Sequence, residues 1–269
     1  IRARVVLGAD GLRSTVARRL AGVRRGPRDR LAVVGRFRGV GPPGDGSPTG
    51  TGGGPVGEMR LSREGMLGLA PTGAGRWNAT LVVPRSRAAR LASDRAGYVR
   101  RKLAAYGVGR RFRDAEQIGE LEVTGPFEVR PRRPSAPGVL LVGDAAGYFD
   151  PLTGQGIHRA LVTGRAAAAA ALSILGAPGP AEAESARMRY EADLERLLAP
   201  GRRVQRLVDG VASRPWLIEP AGRLLGARPG LASLLVDVTG DRLPAAALAA
   251  PRRLVRAWGS GSAWWERAG

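Results

Sequence analysis

Gly143-Asp144-Ala145-Ala146-Gly147-Tyr148-Phe149-Asp150-Pro151-Leu152-Thr153-Gly154-Gln155-Gly156-Ile157 is the stretch that decides how the rest of the chain is read. The apolar run Val139–Val142 ahead of it predicts a short buried strand that runs straight into Gly143 and an acid, Asp144. Small residues after the acid let the backbone approach a ligand closely. A helix is predicted from Gly154 to Leu175. Its small or apolar residues Ile157, Ala160, Leu161, Gly164, Ala168, Ala171, Leu172 and Leu175 form one stripe, and Gly176 and Pro178 end it. The start of that helix offers free amide donors and the positive end of a dipole. A ligand with both hydroxyls and anionic character suits such a surface. Asp144 can accept from sugar-like hydroxyls, and the amides from Gly154 to His158 can face a phosphate or a reduced, anionic ring. The plain alternative is an ordinary strand–helix connection built from small packing residues.

Upstream, Arg4–Gly8 reads as a buried strand ending in the turn Ala9-Asp10-Gly11, with a helix from Ser14 to Leu20 that stops at Gly22. Asp10-Gly11 can adopt a left-handed conformation, and Ser14 can cap the helix. Leu31–Val40 predicts a strand, residues 41–57 a Gly/Pro/Ser/Thr loop, and Glu58–Ser62, Gly65–Ala70 and Arg76–Val83 three strands joined by tight turns. Arg85–Ala105 reads as helical, and Ile118–Val129 as a strand turned at Gly125-Pro126. Residues 181–258 read as amphipathic helices broken at Pro200-Gly201, Pro215, Pro220, Pro229 and Pro244. Their stripes Leu194, Leu197, Leu198 and Leu207, Val208, Val211 need a partner surface. A chain that leaves an α/β unit, builds an antiparallel sheet and returns to strand-then-helix is a two-domain protein, and a cleft between such domains commonly holds a cofactor.

Composition removes several classes of chemistry. There is no cysteine, which excludes disulfides, thiolate ligands, a redox Cys pair and sulfur-linked flavin, and the single histidine, His158, excludes a histidine-rich metal site. Redox chemistry must therefore come from a bound organic cofactor. No apolar run reaches the length of a membrane span. The net charge is +20, yet Lys102 is the one lysine among 43 basic residues. The arginines are scattered through a chain rich in Ala, Gly and Pro, as a GC-rich coding sequence produces. A solvated arginine-rich surface is the reading adopted, with no specific nucleic acid as partner and a cytoplasmic location.

The quoted stretch resembles the GD motif of the superfamily of group A flavoprotein hydroxylases and geranylgeranyl reductases, and its spelling is closer to the geranylgeranyl reductase-like oxidoreductases. Val5-Val6-Leu7-Gly8-Ala9-Asp10-Gly11-Leu12-Arg13-Ser14, ending near Arg18, is similar to the DG motif of the same superfamily. Gly68–Gly73 followed by Asn78–Val83 is a weaker match to its substrate-domain strands. The resemblance implies that Asp144 binds the flavin ribityl chain, that Pro151 faces the isoalloxazine, and that the amides of Gly156, Ile157 and His158 meet the pyrimidine edge. It assigns Asp10, Gly11, Gly143, Asp144, Ala145, Pro151, Gly154, Gly156, Ile157 and His158 to cofactor binding, with FAD as the cofactor and NAD(P)H as a candidate electron donor. It names no catalytic residue and no metal.

The implied fold is α/β. Residues 1–22 and 131–176 form parts of an FAD-binding Rossmann-like (GR2-type) domain, residues 23–130 an inserted antiparallel substrate domain, and residues 177–269 a helical C-terminal region. The superfamily's GxGxxG pyrophosphate loop is expected before residue 1, since Gly50–Gly54 lies in a long loop rather than between strand and helix. The chain is accordingly expected to be truncated at its N-terminus and to hold FAD poorly alone. The implied activity is reduction of an isoprenoid or other apolar small molecule. Hydroxylation with NAD(P)H and O2, and a basic binding protein with a vestigial flavin fold, are the alternatives. The tryptophan-rich halogenase signature is absent. Four local readings stay two-sided. His158 is either a proton carrier or lends only its amide. Asp150 is a second acid or a turn residue. Tyr148 and Phe149 line a substrate cleft or pack. Trp258, Trp264 and Trp265 with nearby arginines rest on a membrane surface or fray.

Overall fold

The computed structural model describes residues 2–26, 29–42, 56–62, 65–149, 151, 154–240 and 242–259. The readings that fall on Gly50–Gly54, Asp150, Leu152, Thr153, Trp264 and Trp265 lie outside the described residues. In chain order the elements are β1 (Val6–Gly8), α1 (Thr15–Leu20), β2 (Val23–Arg25), β3 (Arg30–Arg38), β4 (Glu58–Ser62), β5 (Gly65–Pro71), β6 (Arg76–Pro84), α2 (Ala88–Ser93) and α3 (Arg95–Ala105). They continue as β7 (Glu116–Thr124), β8 (Val129–Pro131), β9 (Ser135–Ala136), β10 (Val139–Leu141), α4 (Gly156–Leu175), α5 (Pro180–Ala212), α6 (Pro215–Ala227), α7 (Pro229–Thr239) and α8 (Pro251–Gly259). The chain divides into two compact units, the first Ile1–Pro27, Phe127–Val211 and Glu219–Gly269, the second Arg28–Pro126 and Ala212–Ile218.

The first unit is organised by a three-stranded sheet in the order β1-β10-β9. β1 and β10 run parallel, with Val6 opposite Val139, Leu7 opposite Leu140 and Gly8 opposite Leu141. The Val142 amide donates to the Gly8 carbonyl at 2.9 Å, extending the pairing to the strand ends. Leu140 and Leu141 are fully buried among Ala17 of α1, Ala167 and Ile174 of α4, and Tyr190, Leu194 and Leu198 of α5. Each buried leucine contributes about 1.5–3 kcal/mol. The Tyr190 hydroxyl donates to the Leu141 carbonyl and so bolts α5 to the same strand. β2 and β8 form a separate antiparallel ribbon, with Val23 opposite Pro131.

The second unit is an antiparallel sheet in the order β4-β5-β6-β3-β7. Val33, Leu67, Leu69, Leu81, Val83 and Leu121 bury against Tyr98, Val99 and Leu103 of α3. The continuous helix expected over Arg85–Ala105 is split at Asp94, whose φ of −152° and ψ of 79° leave the helical region. Its carboxylate instead caps α3 by accepting from the Gly97 amide at 2.8 Å. The strand expected to run to Val129 stops at Thr124, and the chain resumes as β8 in the first unit.

The helical tail corrects the sequence reading at two prolines. Pro200 and Pro220 lie inside α5 and α6 instead of ending them, whereas Pro215 and Pro229 open helices. A helix-interior proline removes one hydrogen bond and crowds the preceding turn. In α5 Leu194 and Leu198 on one side of Pro200 and Val204 on the other are all buried, so packing holds the helix across the defect. The stripe Leu194, Leu198 joins the core of the first unit, Val208 packs on a second cluster of Val204, Leu234, Val238, Ala247 and Ala257, and Leu197 and Leu207 stay exposed.

A Cβ on Gly8 would lie 2.8 Å from Leu141 Cδ2 and 2.9 Å from Val16 Cγ1. Gly8→Ala is therefore expected to lower unfolding stability by about 1–3 kcal/mol, read as a lower urea midpoint. An unchanged midpoint would show that the junction of β1, β10 and α1 tolerates the added carbon.

Candidate functional site

The two sequence motifs meet at one edge of the first unit. Asp10 lies just past the end of β1 and Asp144 just past the end of β10, and these strands are neighbours running in the same direction. Carboxyl ends of adjacent parallel strands are where open α/β sheets place their ligands. The convergence that a shared ligand requires is thus present in the backbone.

The two acids have opposite surroundings. Asp10 accepts from the Thr15 amide at 2.6 Å and the Val16 amide at 3.2 Å. Partial burial acts to raise its pKa, but the Ser14 hydroxyl and these two amides outweigh it and hold the carboxyl below the usual range. Gly11 takes φ 73°, the left-handed turn that lets the chain reach α1, and Ser14 Oγ accepts from the Ala17 amide at 2.8 Å. Asp10 therefore secures the start of α1. Asp144 is half-buried, and its carboxylate accepts no hydrogen bond from the described residues. Burial pushes its pKa above the usual range, opposed by the nearby Arg159 charge. A desolvated carboxylate without donors is a poor stabiliser and a ready acceptor for a ligand's hydroxyls.

The strand end that carries Asp144 is fixed from α4. Gly143 has φ 61°, and its amide donates to Thr163 Oγ1 at 2.9 Å. The Thr163 hydroxyl in turn donates to the Arg159 carbonyl at 2.7 Å and is completely buried. Ala145 is buried beneath Asp144. Pro151 accepts from the Gly154 amide at 3.0 Å, and Gly154 takes φ 70°, which closes a turn directly before α4. The helical ladder begins with the Arg159 amide donating to the Gln155 carbonyl at 3.0 Å. The amides of Gly156, Ile157 and His158 precede it, at the first turn of α4. Ile157 and the His158 side chain are exposed.

Tyr148 and Phe149 settle toward packing. Tyr148 bridges Val129 of β8 and its ring lies 5.4 Å from that of Phe127, while Phe149 is buried. Two contributors escaped the sequence reading. Thr163 lies between the apolar positions of the α4 stripe, and its hydroxyl holds Gly143. Arg159, in the first turn of α4, reaches back to donate to the Gly147 carbonyl at 2.9 Å. A larger cavity of about 880 Å³ lies wholly in the second unit, among Phe37, Val99, Leu103, Phe112, Arg110 and Arg113, and holds none of the motif residues.

No family model matches the chain. It is 35% identical over 160 residues to digeranylgeranylglycerophospholipid reductase 2 of Methanothermobacter thermautotrophicus, a match covering 58% of this chain and 37% of that protein. It is 30% identical over 172 residues to the protein of the same name from Methanopyrus kandleri, covering 62% and 41%. Over these stretches the chain is similar to two reductases of the same name. It spans about two fifths of the length of these curated relatives. Among solved structures, the flavin-dependent brominase Bmp2 matches with a TM-score of 0.68 at 17% identity over 89% of this chain and 57% of that one. CmlS, a flavin-dependent halogenase, matches with a TM-score of 0.61 at 22% identity over 73% and 35%. At these identities the likeness to the halogenases is one of fold: the chain shares their mixed α/β architecture.

The opposed acids give a signed expectation for pH. With its depressed pKa, Asp10 contributes stability that is present above the unfolded-state pKa and lost as pH falls through the folded value. With its raised pKa, Asp144 imposes a cost that is absent below the unfolded-state pKa and present above the folded value. At neutral pH, Asp10→Asn is expected to lower the unfolding midpoint and Asp144→Asn to raise it, and both differences should shrink as pH falls through the carboxylate range. A lower midpoint for Asp144→Asn at neutral pH would contradict this account of the site.

Proposed function

We propose that the whole protein is an FAD-dependent oxidoreductase of the geranylgeranyl reductase kind, reducing carbon–carbon double bonds in an apolar isoprenoid chain. The carrying observation is the edge where β1 and β10 end side by side, with a half-buried Asp144 that accepts no hydrogen bond from the described residues and the start of α4 beyond it. The curated relatives' name, a reductase of a geranylgeranyl lipid, supports the substrate class.

The residues present fit the flavin half of FAD. Asp144, held by Gly143 and buried Ala145, would accept from ribityl hydroxyls. The turn Pro151–Gly154 would set the ring against the start of α4, where Gly156, Ile157 and His158 offer amides to an electron-rich ring edge. When bound, FAD supplies the two-electron chemistry. The chain's own part is to bind, orient and present a dipole toward developing negative charge. Asp10 acts through α1, whose position it fixes.

The ADP half is assigned to none of the described residues. Among the described residues β1 pairs with β10 alone, and on it Val6 is 42% and Leu7 43% exposed, an apolar edge suited to a further strand. Contact with a lipid surface suits the same reading. No helix among the described residues is long and apolar enough to cross a membrane. α8 sets exposed Val255 and Trp258 beside Arg252, Arg253 and Arg256, an amphipathic combination suited to an anionic bilayer.

The test expresses the chain with and without its upstream coding sequence. The longer form is expected to purify with a flavin absorbance band and the shorter to bind FAD weakly. Asp144→Ala in the longer form should weaken FAD by about ten- to a hundredfold, the worth of a charged hydrogen bond. Reduced with NADPH, NADH or dithionite, the longer form should add two hydrogens per double bond to a geranylgeranyl lipid, read by mass spectrometry. Substrate-dependent O2 consumption with oxygen incorporation would replace the reductase reading with the hydroxylase one.

A further inference from the structure

Three arginines from three elements of the first unit, Arg130 of β8, Arg159 of α4 and Arg202 of α5, line one cavity of about 180 Å³. Its remaining wall includes Gly147, Tyr148, Phe149, Leu194 and Leu198. Two carboxylates also line it, and their bonds decide its charge. Glu195 is tied to Arg202. Glu191 accepts from Arg187 at 2.6 Å and from Ser135 at 2.7 Å, sharing with Glu184 an arginine that lies outside the cavity. Arg159 spends one nitrogen on the Gly147 carbonyl, and no described carboxylate is hydrogen-bonded to Arg159 or Arg130. The cavity is left with more cation than anion.

The excess has further signs. The Arg202 side chain is only 14% exposed, and its Nε is buried with no hydrogen-bond partner in the described structure. Arg130 is solvent-exposed on β8, and partial desolvation, with the nearby Arg202 and Arg206 charges, lowers its proton affinity against the opposing Glu128 and Glu195 charges. Burial also lowers that of Arg159, opposed by Asp144 and reinforced by Arg202 and Arg130. Guanidiniums crowded in this way are destabilising unless an anion joins them.

The cavity also selects the kind of anion. One water needs roughly 10–15 Å³ on this scale, so the space suits a polyatomic group. Guanidinium forks approach from three elements, and serving all of them takes more than the two oxygens of a carboxylate. A tetrahedral group with three or more outward oxygens matches them, and arginine pairs with phosphate in bidentate fashion.

We propose that the Arg130–Arg159–Arg202 cavity binds a phosphate-class oxyanion, either free or as the phosphate of a larger ligand. This site is separate from the flavin-facing amides of α4, and its test does not require flavin to bind.

The chain in chloride buffer is titrated calorimetrically with inorganic phosphate and, separately, with octyl phosphate. Saturable one-site binding is expected. It should weaken about ten- to a hundredfold in both Arg130→Gln and Arg202→Gln, the worth of a charged hydrogen bond. The Arg130 side chain makes no hydrogen bond among the described residues, so Arg130→Gln keeps the test meaningful if Arg202→Gln unfolds, as circular dichroism would report. Arg203→Gln, an exposed neighbour outside the cavity, should leave binding unchanged. Tighter binding of octyl phosphate identifies the phosphate of an amphiphile as the source, and equal binding identifies the free ion. Absence of saturable binding, or equal loss in Arg203→Gln, overturns the proposal in favour of diffuse surface charge.

Discussion

The parallel pairing of β1 with β10 is the constraint on which the candidate site depends. More than a hundred residues separate the two strands in sequence, and an antiparallel sheet is built between them. Parallel direction is what puts both carboxyl ends on one edge; an antiparallel pair would send Asp10 and Asp144 to opposite ends. The pairing is short, and packing makes it firm. Leu140 and Leu141 are sealed by α1, α4 and α5, and Gly8 allows β1 to come close enough for Val142 to bond its carbonyl.

Around that edge, charge is left uncompensated in a pattern that stability alone does not explain. Asp10 accepts from the first amides of α1, and these bonds hold its carboxyl below the usual range. Asp144 is partly stripped of water and accepts nothing from the described residues, although Arg159 lies near enough to act on its ionisation. Arg159 is itself turned back to the Gly147 carbonyl, toward the cavity it shares with Arg130 and Arg202. The two sides of the Gly143–Phe149 segment thus present opposite unmet demands, a carboxylate suited to hydroxyls and guanidiniums suited to an oxyanion. Unmet polar demand of this kind is a mark of ligand sites, because a ligand supplies the missing partner.

Much of this was legible in the sequence where local chemistry and tertiary need agree. The Val139–Val142 run, the Gly11 turn, the Ser14 cap and the helix through Leu175 follow from apolar patterning and turn residues. What escaped was decided by contacts far apart in the chain. Val23–Arg25 has no alternation of its own and is a strand only because β8 pairs with it. Asp94 interrupts a stretch whose periodicity runs on, because its side chain caps α3 better than its backbone would continue α2. Pro200 ends helices in isolation, yet here buried residues on both sides carry α5 past it. Arg159 and Thr163 act on Gly147 and Gly143 from a helix whose sequence marks them only as polar positions.

The central claim is that the ends of β1 and β10 form one flavin-facing edge. Hydrogen exchange of the longer, FAD-loaded protein against its apo form tests it most directly, since exchange reports protection amide by amide. The account expects FAD to protect residues 10–16, 143–149 and 154–158 together. Protection confined to residues 96–117 of the second unit, with the two strand ends unchanged, would contradict it.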